Sequence, residues 1–117
     1  MIIEGYYAEA AAIMEAVQPE PAPHMQDRLR RARFWAVFRH GRPVGGICIE
    51  HDCIHVGCQV PCGLEVRQVV REWLRDKPVL YAPIRPDNHA AIRLALGLGF
   101  TFLAAANGFT VYQRLKS

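Results

Sequence analysis

Short apolar runs separated by brief polar breaks dominate the middle of this chain. Runs rich in β-branched and aromatic residues predict strands over residues 34–39, 43–50 and 53–60. The breaks between them are two or three residues long, at residues 40–42 and 51–52. Because connections this short join antiparallel neighbours, the pattern predicts a three-stranded β-meander.

The second half of the chain alternates between helical and strand spacing. Helical spacing of apolar residues, with Pro61 before it, predicts a helix over residues 62–76 that packs one face on a sheet. A strand over residues 79–84 follows. A helix that begins near Asn88 and ends near Leu98 comes next. Two final strands are predicted over residues 100–105 and 109–114, joined by Asn107 and Gly108.

Two helices are predicted before the meander, over residues 5–17 and 24–33, with a loop containing three prolines over residues 18–23. The resulting order is α-α-β-β-β-α-β-α-β-β. It predicts a single α+β domain over residues 1–117, with a mixed central sheet flanked by helices. A chain of 117 residues is long enough to bury a core of this kind.

The amino-acid composition argues against several classes of enzyme chemistry. The only serine is Ser117, which argues against a serine hydrolase, and two lysines make Schiff-base chemistry a poor fit. A net charge of +3 gives no reason to expect a nucleic-acid partner. The uncharged stretch over residues 94–112 is broken by glycines, so we expect no membrane span. The N-terminus lacks a basic leader, so we expect a cytoplasmic protein.

Cysteines and histidines concentrate between residues 48 and 62, which raises the question of a metal site. No pair has the C-x2-C spacing of zinc ligands. In a strand over residues 53–60, Cys53 and His55 would face one side and Cys58 the other, so the ligands would not converge. We therefore expect no bound metal, reduced thiols, and cysteines that serve as small buried side chains.

The segment over residues 88–100 carries the most specific pattern in the chain. It resembles the N-x-x-A-I-x-L-Y-x-x-L-G-F segment of the Gcn5-related N-acetyltransferase (GNAT) superfamily, and it matches at Asn88, Ala91, Ile92, Leu94, Leu98, Gly99 and Phe100. The element order over residues 8–115 resembles that family too, with residues 1–7 as a remnant of its first strand. The resemblance implies the acyl-CoA N-acyltransferase fold. It also implies transfer of acetyl from acetyl-CoA to an amine of a small molecule or a protein.

The resemblance places the acetyl-CoA site at the start of the helix that follows the meander. The residues that it would assign to the cofactor here are Cys58, Gln59, Val60, Cys62, Gly63 and Asn88. The family's loop has the form [RQ]-x-x-G-x-[GA], whereas this chain has a single glycine, Gly63. Pro61 lacks an N–H donor and Glu65 adds negative charge. We therefore expect weak acetyl-CoA binding.

The residues that would carry protons are also altered. The tyrosine of the family's later helix is replaced by Ala95, so Tyr81 and Tyr112 are the alternative proton donors. The candidate general bases are Glu50 and His55.

Two functions stay open at this point. One is acetyl transfer, and the other is a non-catalytic role in assembly or binding. In size and in its missing glycine-rich loop the chain is similar to GNAT-like proteins of tailed phages, some of which are head or internal virion proteins. The second function would imply homo-oligomer or virion-assembly partners, and in the phage case a place in the virion.

Overall fold

A computed structural model describes residues 1–18 and 24–116 of the chain, so the predicted loop over residues 18–23 lies outside the described residues except for Gln18. The described strands are β1 (Ile2–Glu4), β2 (Arg33–Arg39), β3 (Arg42–Glu50), β4 (Cys53–Cys58), β5 (Val79–Ile84), β6 (Thr101–Ala106) and β7 (Phe109–Leu115). The described helices are α1 (Ala8–Ala16), α2 (Met25–Arg31), α3 (Gly63–Asp76) and α4 (His89–Gly97).

The seven strands form one mixed sheet in the order β1-β2-β3-β4-β5-β7-β6. Strand β2 is antiparallel to β1 and β3, and β7 is antiparallel to β5 and β6. Strands β4 and β5 pair in parallel through Cys53 and Tyr81. The predicted mixed sheet, the parallel pair and the remnant first strand are thus confirmed. The right-handed crossover of α3 stays a prediction.

Several predicted boundaries are wrong by one to three residues. The first helix, for example, was expected over residues 5–17 and spans Ala8–Ala16. The boundary that matters for the site lies in β4. The third strand was expected to run through residue 60, but β4 ends at Cys58. The exposed residues Gln59, Val60 and Pro61 instead lead the chain into α3. Gln59 still donates its N–H to the Val44 carbonyl at 2.8 Å, and Pro61 has no N–H with which the ladder could continue further.

The chain divides into two compact units, which are described separately. The first comprises the described residues of Met1–Glu50 and His55–Val66, and the second those of His51–Ile54 and Arg67–Ser117. The division falls within β4 and within α3. A single domain over residues 1–117 stays a prediction.

The core of the first unit joins α1 and α2 to the strands. Met14, Leu29 and Ile47 are fully buried there. Gly57 makes the close packing of α1 feasible, since a Cβ at that position would lie 2.8 Å from the Met14 side chain and backbone oxygen. Glycine often occupies a strand position where another backbone approaches closely.

The core of the second unit is formed by one face of α3 and by β5. Val69, Trp73 and Leu80 are buried, which confirms the helical spacing of apolar residues in α3. The Trp73 indole N–H donates to the carbonyl of Val79 at 3.1 Å. No helix within residues 1–18 and 24–116 combines the length and the apolar character that a membrane crossing needs.

Two local predictions in the second unit are confirmed. Asn88 precedes the first residue of α4, and its side-chain oxygen accepts a hydrogen bond from the Ala91 N–H at 3.2 Å. Asn107 and Gly108 both have positive φ angles, 53° and 80°, as a type I′ hairpin turn between β6 and β7 requires.

Candidate functional site

In the first unit the two candidate general bases lie in one electrostatic cluster. Glu50 ends β3, and its carboxylate accepts hydrogen bonds from the Arg28 Nη2 at 2.8 Å and Nε at 3.3 Å. His55 is half-buried in β4, and the charges of Arg28 and Glu50 both act on it. Arg28 itself lies half-buried in α2.

The environment of His55 favours its neutral form. Burial lowers the pKa of the His55 imidazole, and the Arg28 guanidinium lowers it further, while Glu50 opposes both effects. An imidazole with a pKa below its usual 6.5 carries a free lone pair at neutral pH. His55 can therefore accept a proton from a bound group.

The candidate proton donors Tyr81 and Tyr112 belong to the second unit. In the register of β5 and β7, Tyr112 lies opposite Ala82 and Gln113 opposite Tyr81. Directly opposite residues share a sheet face and successive residues alternate, so Tyr81 and Tyr112 are on opposite faces. They cannot serve the same site together. Ala95, at the family's tyrosine position, is buried in α4 and offers no donor side chain.

The start of α3 holds a second cluster, built around a buried carboxylate. Glu65, in the first turn of the helix, is only 8% exposed. Its Oε2 accepts a short hydrogen bond from the Arg39 Nη1, and its Oε1 has no hydrogen-bond partner among the described residues. The hydrogen bond from Arg39 lowers the pKa of Glu65, and a hydrogen bond from the backbone N–H of Glu65 itself lowers it further.

The guanidinium in this cluster has partners besides Glu65. Arg39 also donates to the carbonyls of Phe38 and Pro61, each at 3.3 Å. Sequence reasoning noted the charge of Glu65 but missed Arg39. Arg39 ends β2, 26 positions before Glu65, and only the fold brings the two side chains together.

The start of α3 is poorly equipped to hold the pyrophosphate of acetyl-CoA. Helix N-termini bind anions through free backbone N–H groups and the positive end of the helix dipole. Here the carboxylate of Glu65 already supplies negative charge in the first turn of the helix. Pro61 has no N–H donor, and Arg39 already donates to the Glu65 carboxylate and to the Pro61 carbonyl. The cofactor roles that the resemblance assigns to Cys58, Gln59, Val60, Cys62, Gly63 and Asn88 stay predictions.

Two of those residues, Cys58 and Cys62, are cysteines whose side chains lie close together. The Sγ atoms of Cys58 and Cys62 are 2.8 Å apart, within hydrogen-bonding distance. Within residues 1–18 and 24–116 no group of three or more His, Cys, Asp or Glu side chains is placed to hold a metal ion. The prediction of no bound zinc is left to elemental analysis of the dialysed protein.

Comparison with solved structures identifies the fold. The chain is similar to a Bacillus subtilis acetyltransferase in complex with CoA, with a TM-score of 0.78, 9% identity and 97% of each chain covered. A GNAT family acetyltransferase from Elizabethkingia anophelis with acetyl-CoA bound gives 0.75 at 9% identity, covering 98% of this chain and 97% of the other. The Campylobacter jejuni N-acetyltransferase PseH gives 0.72 at 12% identity, with 99% of each chain covered.

No family model matches the chain, and no curated protein matches it. The chain therefore has the GNAT acyl-CoA N-acyltransferase fold, as the resemblance of residues 88–100 implied. At identities this low the comparisons show the fold alone. The activity has to be argued from the residues of the chain.

Proposed function

We propose that this chain is a GNAT-fold assembly protein, which associates with further copies of itself and does not act through acetyl transfer. The observation that carries the proposal is strand β6, the last strand in the order of the described sheet. All six of its residues are exposed, and none is charged. Exposed apolar edge strands are templates for pairing with another chain.

A second copy of the chain is the occupant that this edge suits best. Residues 94–112 contain no charged side chain, so two β6 edges can meet without like-charge contacts although each chain carries a net charge of +3. Antiparallel pairing of the same strand about a two-fold axis is self-complementary. The bulge at Leu103, where the β6–β7 register shifts, leaves residues 104–106 as the regular stretch for pairing.

The cluster at the start of α3 supports the non-catalytic part of the proposal. Glu65 accepts a hydrogen bond from Arg39 at the place where an acetyltransferase of this fold would hold a phosphate. A head or internal virion protein of a tailed phage is the narrower form of the proposal. It rests on the chain's size and on its missing glycine-rich loop.

Self-association is expected to be concentration-dependent and to fail in Ala105→Glu. This variant places a carboxylate on the exposed edge of β6, opposite Thr110 of β7, where two copies would bring like charges together. We expect a dimer of the wild-type chain in sedimentation equilibrium and an at least tenfold weaker dimer of the variant, a change of about 1.4 kcal/mol. The matched control is Ala12→Glu, an exposed alanine of α1, which should leave the dimer intact. A wild-type chain that stays monomeric at high concentration contradicts the proposal. A dimer whose affinity is unchanged in Ala105→Glu contradicts it as well.

A second candidate function is acetyl transfer to an amine, which the state of His55 favours. A neutral imidazole next to the Arg28–Glu50 pair can take the proton that an amine loses as it becomes a nucleophile. Glu50, held by Arg28, is the alternative base. Tyr81 and Tyr112 stay alternative donors, one for each face of the sheet.

This second candidate predicts a transfer rate that follows the titration of His55. Because its pKa lies below 6.5, the rate should reach its plateau near neutral pH, and His55→Gln should lower it about a hundredfold. Mass-spectrometric detection of acetylated small-molecule amines measures the rate of transfer across the pH range. His89→Gln, an exposed histidine at the start of α4, is the control. A rate unchanged in His55→Gln removes His55 as the base.

A further inference from the structure

The pair Cys58 and Cys62 stands apart from both proposed functions. The chain contains four free cysteines, and the sulfur atoms of Cys58 and Cys62 are 2.8 Å apart. A disulfide requires about 2.05 Å between the sulfur atoms, so closing the bond needs a movement of less than about 1 Å. Cys58 ends β4 and Cys62 immediately precedes α3, with three exposed residues between them.

The fold holds this pair in place from two sides. The Cys58 sulfur occupies space that a side chain at Gly45 would fill, since a Cβ there would lie 2.5 Å from Sγ. The carbonyl of Cys62 accepts the N–H of Val66 at 3.0 Å, which makes Cys62 the residue that begins α3. Helix starts stabilise a thiolate through the helix dipole.

We propose that Cys58 and Cys62 form a redox-active dithiol site, which a hydroperoxide oxidises to an intramolecular disulfide. The thiolate of Cys62 attacks hydrogen peroxide, which yields a sulfenic acid on Cys62 and releases hydroxide. The thiol of Cys58 then attacks the sulfenic sulfur, and water leaves as the disulfide forms. In total two thiols and one peroxide give one disulfide and two waters, and a dithiol reductant reverses the change.

The electrostatics distinguish the two sulfurs. The hydrogen bond with Cys58 lowers the pKa of Cys62, and the Arg39 guanidinium acts in the same direction against burial and Glu65. The same hydrogen bond, burial and Glu65 raise the pKa of Cys58. Cys62 is thus the attacking thiolate. Its hydrogen bond is the largest cause of the raised pKa of Cys58, and oxidation of Cys62 removes that cause, so Cys58 can then act as the resolving thiol. Cys62 is only 6% exposed, which favours a small oxidant such as hydrogen peroxide over a bulky disulfide.

The other cysteines provide internal controls. Burial raises the pKa of Cys48 to about 12, so its thiol stays protonated and unreactive. Cys53 is half-buried in β4, and its replacement leaves both members of the pair in place.

The test counts thiols in the full-length protein after treatment with hydrogen peroxide. We expect the wild-type chain to lose two of its four thiols to an alkylating reagent under denaturing conditions, with the loss reversed by dithiothreitol. Cys53→Ser should likewise lose two thiols. Cys58→Ser should lose none to a disulfide but should form a sulfenic acid that dimedone captures at Cys62. Cys62→Ser should do neither.

Several results would overturn the proposal. They are a wild-type chain that keeps four thiols, a Cys53→Ser variant that forms no disulfide, and a Cys58→Ser variant that still forms one. Circular dichroism verifies that each variant is folded, and alanine replaces serine where a serine variant unfolds. Dimedone capture at Cys58 in the wild-type chain would reverse the assigned roles and contradict the mechanism.

Discussion

Acetyl-CoA should bind the wild-type chain with a Kd in the high-micromolar range or weaker, and Glu65→Ala should bind it about tenfold more tightly or better. Hydrogen bonds to a charged group contribute roughly 1.5–3 kcal/mol each. Removing the Glu65 carboxylate releases the Arg39 guanidinium for an anion, and it removes a like charge from the same place. One regained bond of that size is worth about tenfold in affinity.

Isothermal titration calorimetry of the two proteins with acetyl-CoA measures this difference. Glu72→Ala is the matched control, since Glu72 lies on the same helix two turns further on and its removal changes the net charge equally. Low-micromolar binding by the wild-type chain would show that Glu65 does not obstruct the cofactor, and the acetyltransferase candidate would then be preferred. An equal gain in acetyl-CoA affinity in Glu65→Ala and Glu72→Ala would show that the effect comes from net charge alone.

The parts of this fold that could be predicted from sequence are those fixed by local chemistry. The helix start at Asn88 depends on a side chain three residues from its partner, Ala91, and the hairpin at Asn107–Gly108 depends on two positive φ angles. The buried face of α3 within the second unit follows from helical periodicity. Such features need no knowledge of distant residues, and each lies where it was expected.

The candidate site was less predictable because its interactions join distant segments. Arg28 and Glu50 are separated by 22 positions, and Arg39 and Glu65 by 26. A count of charged residues in the sequence shows that arginines and carboxylates are present, but not which of them form ion pairs. The sequence shows the charge of Glu65 but not its burial, which follows from the fold that brings Arg39 of β2 to its carboxylate.

The cysteine pair was missed for a different reason. A strand through residue 60 would have continued the alternation past Cys58 and carried Cys62 away from it. Because β4 ends at Cys58, the three residues that follow turn the chain back and bring the two sulfurs together. A difference of two residues in one strand boundary thus decides whether the two thiols can react with each other.

Gly57→Ala is expected to destabilise the chain by about 3 kcal/mol. A Cβ at this position of β4 would lie 2.8 Å from both Cγ and the backbone oxygen of Met14, and 2.9 Å from its Cα. A flexible side chain could move aside, but two of these three atoms belong to the backbone of α1. The whole helix would have to shift, and overpacking of this kind costs about 1–3 kcal/mol and occasionally more.

Urea unfolding followed by circular dichroism measures this cost, with Gly97→Ala as the matched control. Gly97 ends α4, and a Cβ there has no atom within 4 Å, so the control should be neutral or more stable by about 0.5 kcal/mol through the lower entropy of the unfolded chain. The sequence shows only a glycine inside a strand, which indicates a bulge or a close approach without saying which. A Gly57→Ala variant as stable as Gly97→Ala would mean that α1 does not press on β4 at Met14. The packing described for the first unit would then be wrong at its centre.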